Sequence, residues 1–172
     1  MSTASAPTLR PATLDDWPPI AAMDQSVFGW YGADEDPAVI RARLEVFPQG
    51  CVVLEEAAET GDAVALLGYL TTEKWADFRE PVLDENPYTT HKPDGDVLNI
   101  TTLAVGIPYQ NRGLGGLLLD AAFAIARREG CRGIILETAR AQRFYLRHGF
   151  ETIAQRVQRG IPLYVMRYLL ET

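Results

Sequence analysis

Residues Val97 to Gly130 read VLNITTLAVGIPYQNRGLGGLLLDAAFAIARREG and carry the clearest structural pattern in the sequence. It begins with an apolar, β-branched run that predicts a strand over Val97–Val105. A polar, glycine-rich loop follows at Gln110–Gly116. From Leu117 to Glu129, apolar residues recur every three or four positions, which predicts an amphipathic helix. The stretch is therefore expected to fold as strand, glycine loop and helix.

This order of elements is typical of a phosphate-binding site. The first turn of a helix has unpaired backbone N–H groups and a partial positive charge, and glycines let a ligand approach that backbone closely. The loop does not match two common phosphate motifs. It lacks the Lys-Ser or Lys-Thr of a P-loop, and its glycine spacing differs from that of the dinucleotide fingerprint. We therefore expect a different ligand that carries a phosphate or pyrophosphate.

Two signatures along the chain carry a resemblance to a known family. The first is Gln-x-x-Gly-x-Gly, from Gln110 to Gly115, and the second is Ala-x-x-Phe-Tyr-x-x-x-Gly-Phe, from Ala141 to Phe150. Each follows a predicted strand, and their order and spacing agree with the family pattern. With both signatures the sequence resembles the GNAT superfamily of N-acetyltransferases over nearly its whole length. The resemblance implies transfer of an acetyl group from acetyl-CoA to an amine.

The resemblance also implies a fold and a set of contacts to the cofactor. The fold is a single α/β domain, with a mixed central sheet of about seven strands and four helices, splayed between the fourth and fifth strands. The loop amides would bind the pyrophosphate of acetyl-CoA, and the pantetheine arm would pair with the fourth strand. The cofactor-binding residues implied in this way are Leu103, Val105, Gln110, Asn111, Arg112, Gly113, Leu114, Gly115, Gly116, Thr138 and Tyr145.

Two residues receive catalytic roles from the same resemblance. The backbone N–H of Leu103 would stabilise the negative charge that develops on the thioester oxygen, and Tyr145 would protonate the sulfur of the departing CoA. Thr138 stands where relatives often carry an asparagine, and a hydroxyl offers fewer hydrogen-bonding groups than an amide. No general base is evident, and a chain of waters is the expected route for the proton. The polar residues near the site are Asn99, Thr101 and Thr102 on the fourth strand and, as solvated surface residues, Glu73, His91 and Asp96.

Aromatic residues are expected on the acceptor side of the site. In the resembling family, the region between the first two helices lines the acceptor pocket, so Trp30 and Tyr31 are candidates, although core packing also explains a single aromatic residue. Residues 73–96 form a long insertion between the third and fourth strands, where a tight hairpin would suffice. We predict that this insertion covers the acceptor site and that Trp75 and Tyr88 contact the acceptor.

Length and composition limit the class of protein. The 172 residues are expected to form one domain over residues 1–172, with a disordered tail at residues 1–6. A net charge of −7 disfavours nucleic acid as a partner, and it fits a cationic acceptor as well as it fits simple solubility. No membrane span or signal core is evident, so a cytoplasmic protein is expected. The two cysteines are expected to be buried free thiols, and their spacing does not suggest a metal site.

Several alternatives remain open on the sequence alone. The acceptor is a small-molecule amine or an amine of a protein, and the acyl chain is acetyl or a different one. A non-catalytic module that binds acyl-CoA on the same fold is the competing hypothesis, because the fourth strand lacks a carboxylate and Thr138 departs from the family pattern. A homodimer is possible, since dimers are common in the resembling family.

Overall fold

The computed structural model describes residues 6–57, 61 and 63–171, so of the predicted tail only Ala6 lies within it. The strands are β1 (Thr8–Pro11), β2 (Val52–Ala57), β3 (Val64–Trp75), β4 (Val97–Val105), β5 (Gly133–Thr138), β6 (Glu151–Gln158) and β7 (Ile161–Leu169). The helices are α1 (Trp17–Phe28), α2 (Pro37–Val46), α3 (Pro87–Thr90), α4 (Leu114–Arg128) and α5 (Gln142–Arg147).

The seven strands form one mixed sheet in the order β1-β2-β3-β4-β5-β7-β6. Neighbouring strands are antiparallel except β4 and β5, which run parallel. The predicted α/β fold with a mixed sheet of about seven strands is confirmed. The prediction of four helices is one too few, because the structure adds the one-turn helix α3. This turn begins at Pro87 and is capped by the side chain of Asn86, and it is too short to show a helical periodicity in the sequence.

Helices cover both faces of the sheet. Consecutive residues of a strand point to opposite faces, and Val53 packs in one core cluster with Ile20 of α1 and Leu44 of α2. Its neighbour Leu54 packs in the other cluster with α4, through Leu118. The sheet is therefore a central layer with α1 and α2 on one face and α4 on the other. None of the helices that the structure describes is long and apolar enough to cross a membrane.

The sheet opens between β4 and β5, as predicted. Only Val97–Asn99 of β4 pairs with β5. Beyond this point β4 contains a bulge, because Thr71 pairs with Thr102 and Thr72 with Ile100, which leaves Thr101 without an opposite residue on β3. A bulge bends and twists its strand. Within the described chain, the β5-facing edge of β4 therefore has no strand partner from Ile100 to Val105.

The connection between β3 and β4 is shorter than predicted. β3 continues through Glu73 and Lys74 to Trp75, and these residues pair with Asn99, Leu98 and Val97 of β4. The insertion therefore covers residues 76–96 rather than 73–96. The sequence suggested an early end because two charged residues interrupt the apolar run, but Glu73 and Trp75 are both only 2% exposed.

Candidate active site

The glycine loop leads into α4 with its backbone N–H groups free. No residue in the described part of the chain accepts a hydrogen bond from the backbone N–H groups of residues 111–116. Gly113 is the N-cap of α4, and its left-handed backbone, with φ of 77°, suits glycine. A Cβ added at Gly113 or at Gly116 would meet no atom within 4 Å. Free amides, an open surface and a helix N-terminus are the elements of a phosphate site.

Three other loop residues contribute through different groups. The side-chain amide of Gln110 donates to the carbonyl oxygen of Val105 at 3.0 Å, which ties the loop to the end of β4. The guanidinium of Arg112 lies 3.5 Å from a carboxylate oxygen of Glu56 and stays at the surface. The side chain of Leu114 is buried in the core, so this residue offers a ligand only its backbone N–H.

A cavity that is partly open to solvent lies where β4 and β5 separate. β4 lines it with residues 99–103 and β5 with residues 136–138. The cavity brings together Leu103, Thr138 and Tyr145, three of the predicted site residues. Val105 lies two residues beyond Leu103 on the same open edge of β4, toward the glycine loop. The open edge of β4 therefore joins the cavity to the loop.

Tyr145 lies on the short helix α5 and is held by aromatic neighbours. Its ring packs edge-on against Phe144 and Phe150, with centroids 5.0 and 5.4 Å away. Burial raises the pKa of the Tyr145 phenol, so the hydroxyl keeps its proton. The hydroxyl oxygen of Thr138 accepts from the backbone N–H of Ala141 at 3.0 Å. Thr138 therefore shapes the turn that leads into the helix carrying Tyr145.

The four aromatic residues predicted on the acceptor side have different surroundings. Tyr31 lines the cavity. Trp30 is 63% exposed and stacks on the guanidinium of Arg140, which lies 4.5 Å from the ring. Trp75 packs in the core, and its indole N–H donates to the carboxylate of Glu73. Tyr88 is exposed, and its hydroxyl donates to the carboxylate of Glu45. The structure therefore brings only Tyr31 of this set into the cavity lining.

The connection between β3 and β4 forms one wall of the cavity, through Pro81, Val82, Leu83 and Glu85. It is held in place from two sides. The backbone N–H of Leu83 donates to the side chain of Gln158 on β6 at 2.9 Å, and that of Asp84 donates to Glu35 at 3.2 Å. The carboxylate of Asp84 also pairs with Arg159 in the turn between β6 and β7.

A group of buried ionisable residues at the cavity was missed by the sequence reasoning. Asp24, Glu35, Arg43 and Glu73 all line the cavity and are at most 8% exposed, and we call them the acidic cluster. Glu73 was expected at the solvated surface, which is wrong, because the longer β3 carries it into the interior. One signal was available for Asp24: it lies four positions after Ile20 and four before Phe28, on the apolar face of α1.

Hydrogen bonds connect the acidic cluster to β3 and to β4. The guanidinium of Arg43 donates to Glu35 at 2.6 Å and to the hydroxyl of Thr102 on β4 at 3.1 Å. Asp24 accepts from the backbone N–H of Glu35 at 2.8 Å and from the hydroxyl of Tyr69 on β3 at 3.0 Å. Burial raises the pKa of Asp24 to about 6, so this carboxyl can exchange a proton near neutral pH.

Comparisons with known proteins agree with this geometry. The model of the acetyltransferase (GNAT) family matches residues 15–150. No curated protein sequence gave a match. Many solved structures share the fold. The loading GNATL domain of CurA from Lyngbya majuscula is 16% identical, with a TM-score of 0.80 over 95% of this chain and 98% of that one. Ard1 from Thermoplasma volcanium is 18% identical, with a TM-score of 0.73 over 97% and 99% of the two chains.

A further solved structure shows a bound ligand. YncA from Salmonella typhimurium, described with its cofactor acetyl-CoA, is 21% identical, with a TM-score of 0.66 over 98% of this chain and 96% of that one. At these identities the solved structures support the fold, whereas the family model covers most of the chain and both of its signatures. The chain belongs to the acetyltransferase (GNAT) family.

Proposed function

We propose that the protein is an acetyl-CoA-dependent N-acetyltransferase that acetylates a primary amine. The observation that carries the proposal is the continuity of three features: the free amides at the start of α4, the unpaired edge of β4, and a cavity lined by Tyr145 and buried carboxylates. The free amides would hold the cofactor, the unpaired edge of β4 would position its thioester, and the side chains of the cavity would transfer protons.

The residues present fit acetyl-CoA, whose chemical contribution is an acetyl group activated as a thioester. Gly113 and Gly116 leave space that a Cβ would fill, and the amides of residues 111–116 are available to a pyrophosphate. The edge of β4 from Leu103 to Val105 offers backbone groups to the amides of a pantetheine arm, in the manner of an added strand. The solved structure of YncA, described with its cofactor acetyl-CoA, lends support from a protein of the same fold.

Three groups of this chain would then act on the reacting atoms. The backbone N–H of Leu103 donates to the thioester oxygen as negative charge develops there. An aliphatic amine is protonated at neutral pH, so its nitrogen loses one proton to Asp24 before it attacks and a second proton to solvent as the amide forms. Tyr145 donates its phenolic proton to the sulfur as the carbon–sulfur bond breaks. Proton exchange with solvent restores both side chains.

Thiol release tests this proposal directly. The full chain is mixed with acetyl-CoA and each member of a panel of primary amines, free thiol is followed, and the product is identified by mass spectrometry. Amine-dependent thiol release with an acetylated product is expected. Binding of acetyl-CoA in calorimetry, without turnover on any amine, would contradict the proposal and favour a non-catalytic module. Failure to bind acetyl-CoA would contradict the assignment of the loop as well.

A further inference from the structure

The acidic cluster carries more negative than positive charge. Its three carboxylates, Asp24, Glu35 and Glu73, share the single guanidinium of Arg43, which forms its ion pair with Glu35 at 2.6 Å. Neither Asp24 nor Glu73 has an ion-pair partner within the described part of the chain. Buried charge is costly unless an opposite charge compensates it. The cluster is therefore suited to a ligand that brings positive charge.

Glu73 is the member of the cluster with spare hydrogen-bonding capacity. Its Oε2 accepts from the indole N–H of Trp75 at 2.9 Å and from the hydroxyl of Thr90 at 2.8 Å. Its Oε1 accepts no hydrogen bond from the described residues, although Glu73 is only 2% exposed and lines the cavity. An unpartnered carboxylate oxygen on a side chain that lines the cavity indicates room for a hydrogen-bond donor, such as an ammonium group.

The other carboxylates of the cavity are already neutralised. Glu137 forms two hydrogen bonds of 2.6 Å with Arg156. Glu85 forms a similar pair with Arg79, at 2.7 and 3.1 Å. A cationic ligand therefore gains most from Asp24 and Glu73.

Glu73 lies away from the place where acetyl transfer would occur. It pairs with Asn99, where β4 is still joined to β5, whereas Leu103 lies on the open part of β4. Four residues of extended strand separate Asn99 from Leu103, roughly 13 Å before the bulge at Thr101 shortens the path. Because of this separation, one nitrogen of the acceptor is not expected to reach both Glu73 and the reacting carbonyl. Glu73 is placed for a second cationic group.

We propose that Glu73 binds a second ammonium group of the acceptor, so that the preferred acceptor is an aliphatic diamine or polyamine. One nitrogen binds to Glu73 at the closed end of the cavity, and the other is acetylated beside Leu103. This inference rests on the proposed function and adds the substrate class. In it Glu73 is a specificity-determining residue that contacts the acceptor but not the reacting atoms.

The test compares cadaverine with n-pentylamine and with the amino alcohol of the same chain length. Each acceptor presents a primary amine at one end of the same five-carbon chain, and they differ in the group at the other end, which in cadaverine is a second, equivalent amine. In steady-state kinetics on the full chain, kcat/KM for cadaverine is expected to exceed that for either of the other two by roughly 10- to 100-fold, the range for a hydrogen bond between charged groups. Equal values for the three amines would overturn the inference.

The variant Glu73→Gln keeps the size of the side chain and removes its charge. It is expected to raise KM for cadaverine by roughly the same factor and to leave KM for n-pentylamine nearly unchanged. Glu45→Gln, an exposed position on α2 outside the cavity lining, is the matched control. An equal loss on both amines would show that Glu73 has only a structural role and would overturn the inference.

The two proposals fail in different ways. If kcat/KM for n-pentylamine equals that for cadaverine, the transferase function stands and the diamine preference is wrong. If no amine is acetylated although acetyl-CoA binds, the transferase function itself is wrong. The comparison of the three amines on the wild-type protein remains decisive even if Glu73→Gln does not fold.

Discussion

Tyr145 and Asp24 line the same cavity, and burial shifts the pKa of both in the same direction with opposite chemical results. The phenol is held in its protonated form and is ready to donate. The pKa of the carboxyl is raised toward neutral pH, so Asp24 can accept and release a proton at physiological pH. The sequence signature identified Tyr145, because its spacing to Gly149 and Phe150 is part of a motif. Asp24 belongs to no motif; its place on the apolar face of α1 is the one signal in the sequence, and the hydrogen bond from Tyr69 shows how it is held.

Replacing Tyr145 with Phe removes the proposed acid and keeps the ring. We expect kcat to fall by about 100-fold or more, the usual contribution of general acid catalysis, with little change in KM for acetyl-CoA. Steady-state kinetics with saturating amine measures both. Tyr168→Phe is the matched control, because Tyr168 packs in the same aromatic group without lining the cavity. A Tyr145→Phe enzyme that works at full speed would exclude the acid role.

The proposed role of Asp24 predicts the pH dependence of the rate. Because the base must be ionised, kcat/KM should decrease as pH falls through about 6, the pKa of the buried Asp24 carboxyl. Asp24→Asn should lower the rate and abolish this dependence. Asp120→Asn, at an exposed position of α4, should retain the wild-type profile. A pH profile that Asp24→Asn leaves unaltered would assign the base to a different group.

The same carboxyl predicts a pH-dependent stability. The pKa of Asp24 is higher in the folded protein, at about 6, than its ordinary value of 3.8, so the native state favours the protonated form. Its contribution to stability is present below the ordinary pKa and is lost as pH rises through about 6. Asp24→Asn should therefore gain stability relative to wild type with rising pH, by at most about 3 kcal/mol. Thermal or urea unfolding at several pH values measures this gain, and a constant difference would argue against it.

At the scale of secondary structure, the elements with a clear period or a cap could be predicted, and the others could not. α4 has an apolar face with a helical period, so this helix was predicted. The end of β3 was not predicted, because Glu73 is buried only in the folded protein, where Thr90 of the connection donates to it. The short helix α3 has neither a period nor an apolar face. Local pattern thus identifies an element, whereas tertiary packing sets where it ends.

The first turn of α4 offers a test of the phosphate site. Gly116→Asp places a carboxylate in open space near the free amides. The helix dipole stabilises a negative charge at this end of the helix, so the melting temperature should not fall. The same charge should repel a pyrophosphate. We expect Kd for acetyl-CoA, measured by calorimetry, to rise by about 10-fold or more. Gly116→Asn is the uncharged control of similar shape. An unchanged Kd in Gly116→Asp would place the pyrophosphate elsewhere.

The molecule as a whole is acidic, with a net charge of −7, and its cavity shares that sign. Composition alone did not separate a cationic acceptor from simple solubility. The structure adds the location of the charge, because two carboxylates without an ion-pair partner line the cavity in the described part of the chain. The fold could be predicted because two motifs and seven strands follow one another in a familiar order. The acceptor pocket could not, since it is assembled from α1, α2, β3 and a loop that are distant in sequence.

This charge predicts a dependence on salt. Screening weakens attraction between the protein and a cationic acceptor, and a dication is affected more than a monocation. As ionic strength rises from low salt to about the physiological level, kcat/KM should fall more steeply for cadaverine than for n-pentylamine. Parallel salt curves for the two amines would contradict a role of the acidic cavity in acceptor binding.

The extra residue at Thr101 has a consequence for how this protein tolerates change. Deleting one residue at the bulge would make Ile100 and Thr102 direct neighbours opposite Thr72 and Thr71, so that β4 would continue as a regular strand without its bend. β4 could then form backbone hydrogen bonds with β5 beyond Asn99, which would close the gap between the two strands. Insertions and deletions at this point are therefore predicted to be far more harmful than substitutions, because chain length there, more than the identity of any side chain, keeps the gap open.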